Sequence, residues 1–270
     1  MSSLISIVII NYNARHLLKT CINSLAAQTY SNKEIIFIDN DSRDNSCQYI
    51  IENFPDIISI CNKTNLGYAA GANQGITMAK GEYVMLLNPD IILEKDYIMH
   101  CLQKMEEDKK TAAICGKIYQ YDFHNNAKTN IIDTVGLFCY PNRRVIDNGQ
   151  GLPDEGQFNV AKEVFGISGA CPIYRKAALD DVKINNEYLD RDFFMYKEDV
   201  DLSWRFLLFG WQNFYLPAAV AYHGRGTGIA KRFTNSDILK NRYKLNKFQK
   251  YYSYKNQRIM QLKNELFAGF

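Results

Sequence analysis

One feature constrains this chain more than any other. Four short apolar runs recur early in it, each stopped by a polar cluster, with stretches of helical period between them. Leu4 to Ile10 (LISIVII) is continuous and β-branched, the pattern of a strand buried on both faces of a parallel sheet. Glu34 to Ile38, Ile57 to Cys61 and Glu82 to Leu87 are the other three. Between them, Leu17, Leu18, Cys21, Ile22 and Leu25 repeat at helical spacing. Asp44 or Ser42 can cap a helix reaching about Asn53, and Gly67 to Ala79 reads as a helix of small residues. The order is β-α-β-α-β-α-β with short links. It predicts an α/β fold whose sheet carries helices on both faces.

The pattern loosens after Asp90. Ile91 to Glu107 reads as helix, Ala112 to Tyr121 as strand, and 125–158 as a long insertion or a pair of hairpins. Val164 to Tyr174 is strand-like, Phe193 to Gly210 helical, and Asn213 to Tyr222 extended. These readings predict one mixed domain over 1–230 and a basic aromatic appendage, expected to be helical, over 231–270. Charge draws that boundary. The appendage holds ten Lys and Arg against two acids, a net of +8, while the first 230 residues hold 22 basic and 27 acidic side chains, a net of −5.

A basic tail interleaved with Tyr and Phe suits an anionic membrane surface. A nucleic-acid partner is disfavoured, because a phosphate-binding body should itself be basic. No apolar run approaches the roughly 20 residues that span a bilayer. The N-terminus lacks the basic-then-apolar pattern of a signal peptide. Seven cysteines without a Cys-x-x-Cys predict reduced thiols and a cytoplasmic protein, held by its tail at the inner face of the cell membrane.

Ligands of open α/β sheets bind beyond the carboxyl ends of the strands. Four clusters lie at such ends: Asn11-Tyr12-Asn13, Asp39-Asn40-Asp41-Ser42, Asn65-Leu66-Gly67 and Asn88-Pro89-Asp90. Each has the composition of an ordinary turn, but all would converge on one rim. Gly67, Gly71 and Gly75 are spaced by four, not as the Gly-x-Gly-x-x-Gly phosphate turn. That disfavours a dehydrogenase and leaves helix packing or ligand contact open. Asp90 could hold a divalent cation on substrate phosphates, or simply cap a helix.

Glu198, Asp199 and Asp201 crowd a helix start, where acids complement the dipole. Asp201 also pairs by spacing with Arg205. Neither effect requires Glu198 and Asp199 side by side, so one of the two is a candidate general base. His223 opens a glycine-rich segment with Arg225; it could ligate a metal, and Arg225 could meet a phosphate, or both could be ordinary loop residues.

The ordered set resembles the inverting family-two glycosyltransferases of the GT-A fold, especially their bacterial rhamnosyltransferase-like members. The resemblance runs from Ser6-Ile7-Val8-Ile9-Ile10-Asn11-Tyr12-Asn13 through Ile38-Asp39-Asn40-Asp41-Ser42, the Asn65 to Asn73 stretch, Leu87-Asn88-Pro89-Asp90 and Glu198-Asp199-Val200-Asp201 to Tyr222-His223. It implies transfer of rhamnose or another hexose from a dTDP- or UDP-linked donor to a glycan or polyprenyl-linked acceptor. Tyr12, Asp39 and Asn40 would hold base and ribose, and Asn11, Asn65, Gly67, Asn73, Asn88 and Arg225 complete the implied donor site. Asp90 and His223 would bind Mg2+ or Mn2+, and Asp199 would be the base, with Glu198 beside it. Asn88 replaces the first acid of the family's Asp-x-Asp motif, which removes one charge from the implied metal site. The alternative class is a nucleotide-sugar or lipid-headgroup binding module without turnover.

Overall fold

A computed structural model describes residues 2–224 and 246–265. Its first third is the predicted alternation. Strands β1 (Ile5–Asn11), β2 (Lys33–Asp39), β3 (Ile58–Cys61) and β4 (Tyr83–Leu87) alternate with helices α1 (Arg15–Ala26), α2 (Ser46–Asn53) and α3 (Tyr68–Met78). β1 lies between β2 and β4, and all these pairings are parallel. The period-two geometry of β1 explains its unbroken hydrophobicity. Ile5, Ile7 and Ile9 pack with Leu18, Cys21 and Leu25 of α1, while Val8 and Ile10 face Ala69, Ala72 and Ile76 of α3. Helices therefore cover both faces. The glycine spacing of α3 is a packing device, since a Cβ at Gly75 would overlap the Val8 side chain.

The remainder is built from long-range pairings. It comprises β5 (Ile91–Leu93), α4 (Tyr97–Glu107), β6 (Thr111–Asp122), β7 (Ala127–Thr134), β8 (Leu137–Cys139), β9 (Val145–Asp147), β10 (Lys162–Val164), β11 (Ile173–Arg175), α5 (Lys176–Asp181), α6 (Glu198–Leu208), β12 (Gln212–His223) and α7 (Lys247–Glu265). One mixed sheet of ten strands runs β10-β12-β6-β11-β4-β1-β2-β3, with β5 added to β12 and β7 to β6.

Four expectations need correction. Ile91 to Leu93 is strand, not helix, because β12 arrives from far along the chain to pair His223 with Ile91. The 164–174 stretch is two short strands around a loop. The helix expected from Phe193 begins only at Glu198, after a 3-10 turn over Arg191–Phe193. Cys47 and Cys61 form a disulfide with Cα atoms 6.0 Å apart, where free thiols were expected.

The boundary expected at residue 230 falls outside the described residues. The described part of the tail, α7, lies on the domain. Met260 is fully buried with Phe193, Val200 and Trp204, and Asn264 donates to Asp201 Oδ1 at 2.9 Å.

Candidate active site

The carboxyl ends of β1, β2 and β4 open on one rim, as the sheet order requires. At the end of β1, buried Asn11 donates to Asp39 Oδ2 at 2.8 Å and to Ser42 Oγ at 3.1 Å. The Ser42 amide donates to Asp39 Oδ1 at 2.8 Å. Each Asp39 oxygen thus accepts one bond within the protein and keeps capacity for another. Tyr12, next in the chain, is half exposed. Asn11, Tyr12 and Asp39 are therefore brought together as a polar edge with an aromatic flank.

Other expected donor residues turn out to be structural in their contacts. Asn40 is buried; its Nδ2 donates to Gly67 O at 2.9 Å and its Oδ1 accepts from Asn62 at 3.0 Å. Asn65 Oδ1 accepts from the Gly67 amide at 2.9 Å. Asn73 lies away from the rim, with Nδ2 on Leu189 O at 2.7 Å and Oδ1 on the amides of Tyr188 and Leu189. Both ends of these amides, or the acceptor in Asn65, are engaged, which the sequence could not show. Arg225 lies outside the described residues.

Gly67 has a φ of +84°, and an added Cβ would sit 2.5 Å from the Phe194 ring. Gly67→Ala is expected to destabilise the fold by about 2–5 kcal/mol, from backbone strain plus overpacking. Urea denaturation measures this, and an unchanged midpoint would contradict it.

A cleft of about 530 Å³ brings the remaining residues together: Asn88, His223, Glu198 and Asp199 all line it. The two acids are presented by an unusual turn. Phe194, Tyr196 and Lys197 have φ values of +59°, +72° and +72°, a conformation costing non-glycine residues about 1–3 kcal/mol each. The turn starts α6 so that Asp199 Oδ2 accepts from the Gly169 amide at 2.9 Å and Oδ1 from the Val200 amide at 2.8 Å. Burial raises the Asp199 carboxyl above its ordinary range, although the Gly169 amide and Lys197 oppose it. Glu198 is more deeply buried, with Oε2 unpartnered, and burial and the neighbouring Asp199 both push it up. Asp201, by contrast, is fully buried on Arg205 at 3.0 Å, so it is structural.

At the far wall, His223 ends β12. Its Nδ1 is 2.8 Å from Asp133 Oδ2 and its Nε2 is 3.3 Å from Asp90 Oδ1. Burial works against a charged imidazole, but Asp90 and Asp133 outweigh it and lift His223 to about 9. Burial likewise opposes charge on Asp90, yet His223 beside it holds the carboxyl below its ordinary value. The donor set fits a divalent cation. Asp133 would orient the ring, leaving Nε2 and the Asp90 carboxylate on a common side, the outer-shell arrangement typical of metal-bound histidine. Among the described residues no group of three His, Cys, Asp or Glu side chains forms a complete metal cage. A cation here would thus take oxygens from substrate and water, as Mg2+ and Mn2+ do on phosphates.

Reading the sequence missed Asp133 and Asn256, and also Asp147 and Tyr68, which line the cleft, Tyr68 donating to Gly169 O at 2.9 Å. Asp133 did leave a signal, a lone acid in Ile131-Ile132-Asp133-Thr134-Val135. Asp147 belongs to the 125–158 stretch, which does line the cleft through Leu137, Val145 and Gln150.

Glycosyl transferase family 2 matches residues 6–183. The chain belongs to that family. Its resemblance in solved structures is one of fold. This family 2 chain superposes on S. aureus TarS 1–349 in complex with UDP with a TM-score of 0.60 at 20% identity, over 82% of this chain and 60% of that one. GalNAc-T7 with UDP, GalNAc and Mn2+ gives 0.66 at 14% identity, over 84% and 45%. Among curated relatives, the poly-beta-1,6-N-acetyl-D-glucosamine synthase of Staphylococcus aureus (strain COL) is 29% identical over 214 residues, 78% of this chain and 47% of that protein. The family 2 chain therefore spans about half the length of that relative.

Proposed function

We propose that the protein is an inverting glycosyltransferase. It passes a hexose from a nucleoside-diphosphate sugar to a hydroxyl of a glycan or lipid-linked acceptor in bacterial surface polysaccharide assembly. The observation that carries this reading is Asp199, a carboxylate raised by burial and held by two backbone amides on the wall of the cleft that His223 and Asn88 also line. Asp199 takes the acceptor hydroxyl proton, the oxygen attacks the anomeric carbon, and the bond to the diphosphate breaks with its electron pair. A single base opposite the leaving group inverts the centre.

Asp90 and His223 would hold Mg2+ or Mn2+, which when bound offsets the charge on the leaving diphosphate. The UDP in the TarS structure supports a UDP-linked donor over a dTDP-linked one. The motif order and Asn88-Pro89-Asp90 support the rhamnosyltransferase-like branch, whereas the synthase relative supports an N-acetylhexosamine. A panel of UDP- and dTDP-sugars, read as released nucleoside diphosphate with and without Mn2+, decides. Binding of nucleotide sugars without release would identify a binding module instead.

The tail extends the reading to a membrane surface. Helix α7 turns Lys247, Lys250, Tyr251, Tyr254, Arg258 and Leu262 outward, with Tyr254 66% exposed. Among the described residues no helix is long and apolar enough to cross a bilayer. Each Lys or Arg near an anionic leaflet contributes roughly 1 kcal/mol, and Tyr suits the interface. Vesicle binding is expected to rise with anionic lipid and fall with salt. Equal binding to neutral and anionic vesicles, or none, would leave a soluble acceptor as the better reading.

A further inference from the structure

Helix α7 does more than cover the domain. Asn256 is fully buried beneath the turn that presents Glu198 and Asp199. Its Nδ2 lies 2.8 Å from Phe193 O, 2.8 Å from Met195 O and 2.7 Å from Tyr196 O. One amide group thus gathers three carbonyls from four consecutive residues, through the positive-φ stretch. Three carbonyls converge on this one buried NH2 group, so removing it would leave them facing one another without a donor. The same helix lays Tyr252 against Phe194, with ring centroids 5.1 Å apart. The other side of Phe194 closes on Gly67, and its carbonyl accepts from the Ala69 amide at 3.2 Å at the start of α3. Ser253, between Tyr252 and Asn256, lines the cleft itself.

We infer that Asn256 is a positioning residue: it sets the 193–197 turn, and through it the placement of Asp199, from a helix that follows the rest of the site in sequence. This rests on the glycosyltransferase reading for its kinetic consequence but not for its structural one. Asp199 reaches the Gly169 amide only while the turn holds the first residues of α6 in place. A shift of about 1 Å in such a group costs roughly 100-fold in rate.

The test compares the full-length wild type with Asn256→Leu, Tyr252→Leu and Asn264→Ala. Asn264 anchors the same helix to the domain through Asp201 but does not touch the turn, so it controls for general loosening of α7. Three quantities are read: UDP affinity by calorimetry, turnover of the nucleotide sugar that the wild type consumes fastest, and amide hydrogen exchange of residues 194–199. Asn256→Leu is expected to lower kcat roughly 100-fold with UDP affinity within about twofold, and to speed exchange in the turn. Tyr252→Leu should show the same split, smaller. Asn264→Ala should lower the melting temperature while keeping kcat and turn exchange near wild type. Turn exchange unchanged in Asn256→Leu would overturn the inference even if the wild type turned over no donor, an outcome that would sink the functional reading alone. If Asn256→Leu did not fold, Tyr252→Leu decides by the same split. Parallel losses of folded fraction and kcat in all variants would also overturn it, leaving α7 a cover only.

Discussion

Asp199→Asn is expected to lower transfer by roughly 100- to 10,000-fold while leaving donor affinity nearly unchanged. The amide keeps the shape and its one oxygen can still accept from either the Val200 or the Gly169 amide, but it cannot take the acceptor proton. In the proposed reading the donor is held at the rim around Asn11 and Asp39, which the substitution does not reach. The pH profile gives an independent check. Burial raises the Asp199 carboxyl, and the base works only when deprotonated. The acid limb of kcat should therefore lie above the ordinary carboxylate range, with activity rising as pH passes through it. Glu198→Gln separates the pair. Burial and the Asp199 charge push Glu198 up to about 8, so it is still neutral where Asp199 ionises, and replacing it should leave the limb in place. A wild-type-like Asp199→Asn with an inactive Glu198→Gln would exchange the two roles.

Asp90→Ala is expected to abolish the response of transfer to Mn2+ or Mg2+ and to weaken cation-dependent UDP binding. His223→Ala should act in the same direction with a smaller loss, because the Asp90 carboxylate remains. Asp133→Asn tests the outer shell. Loss of such a partner typically costs 10- to 100-fold in metal affinity, on the order of what a misoriented imidazole forfeits. Titrating Mn2+ against UDP binding measures all three. If none of them changes the cation response, Asp90, Asp133 and His223 form an internal ion-pair cluster and the metal reading fails.

The third of the molecule up to Asp90 was legible because its signals are local. A β-branched run, a polar stop and a helix-period stretch each lie within a dozen residues, and short links leave the parallel arrangement as the simplest topology. The rim followed from that order alone. What stayed hidden depends on partners distant in sequence. Ile91 to Leu93 has the composition of a helix start and becomes strand only because β12 pairs with it. Asn40 and Asn73 have the residue type of ligand-binding turns, yet their amides are occupied by backbone and side chains 22 to 116 residues away. The carboxylates of Glu198 and Asp199 could be singled out by their redundancy at a helix start. Nothing local announced that three of the four residues before them, Phe194, Tyr196 and Lys197, would take positive φ, or that Asn256 would bind the carbonyls of this turn.

The contacts of Asn256 also bear on how the protein is made. Its partners Phe193, Met195 and Tyr196 precede it by 63, 61 and 60 residues. At synthesis rates of about 5–20 residues per second, the turn waits roughly 3–12 seconds on the ribosome for its donor to be polymerised, and longer for it to clear the exit tunnel. The rim proposed to hold nucleotide comes from residues before Asp90 and is polymerised long before that. Nascent chains should thus pass through a stage that can hold nucleotide but has no ordered base. On the proposed reading, a chain ending before Asn256 is expected to sequester donor without consuming it.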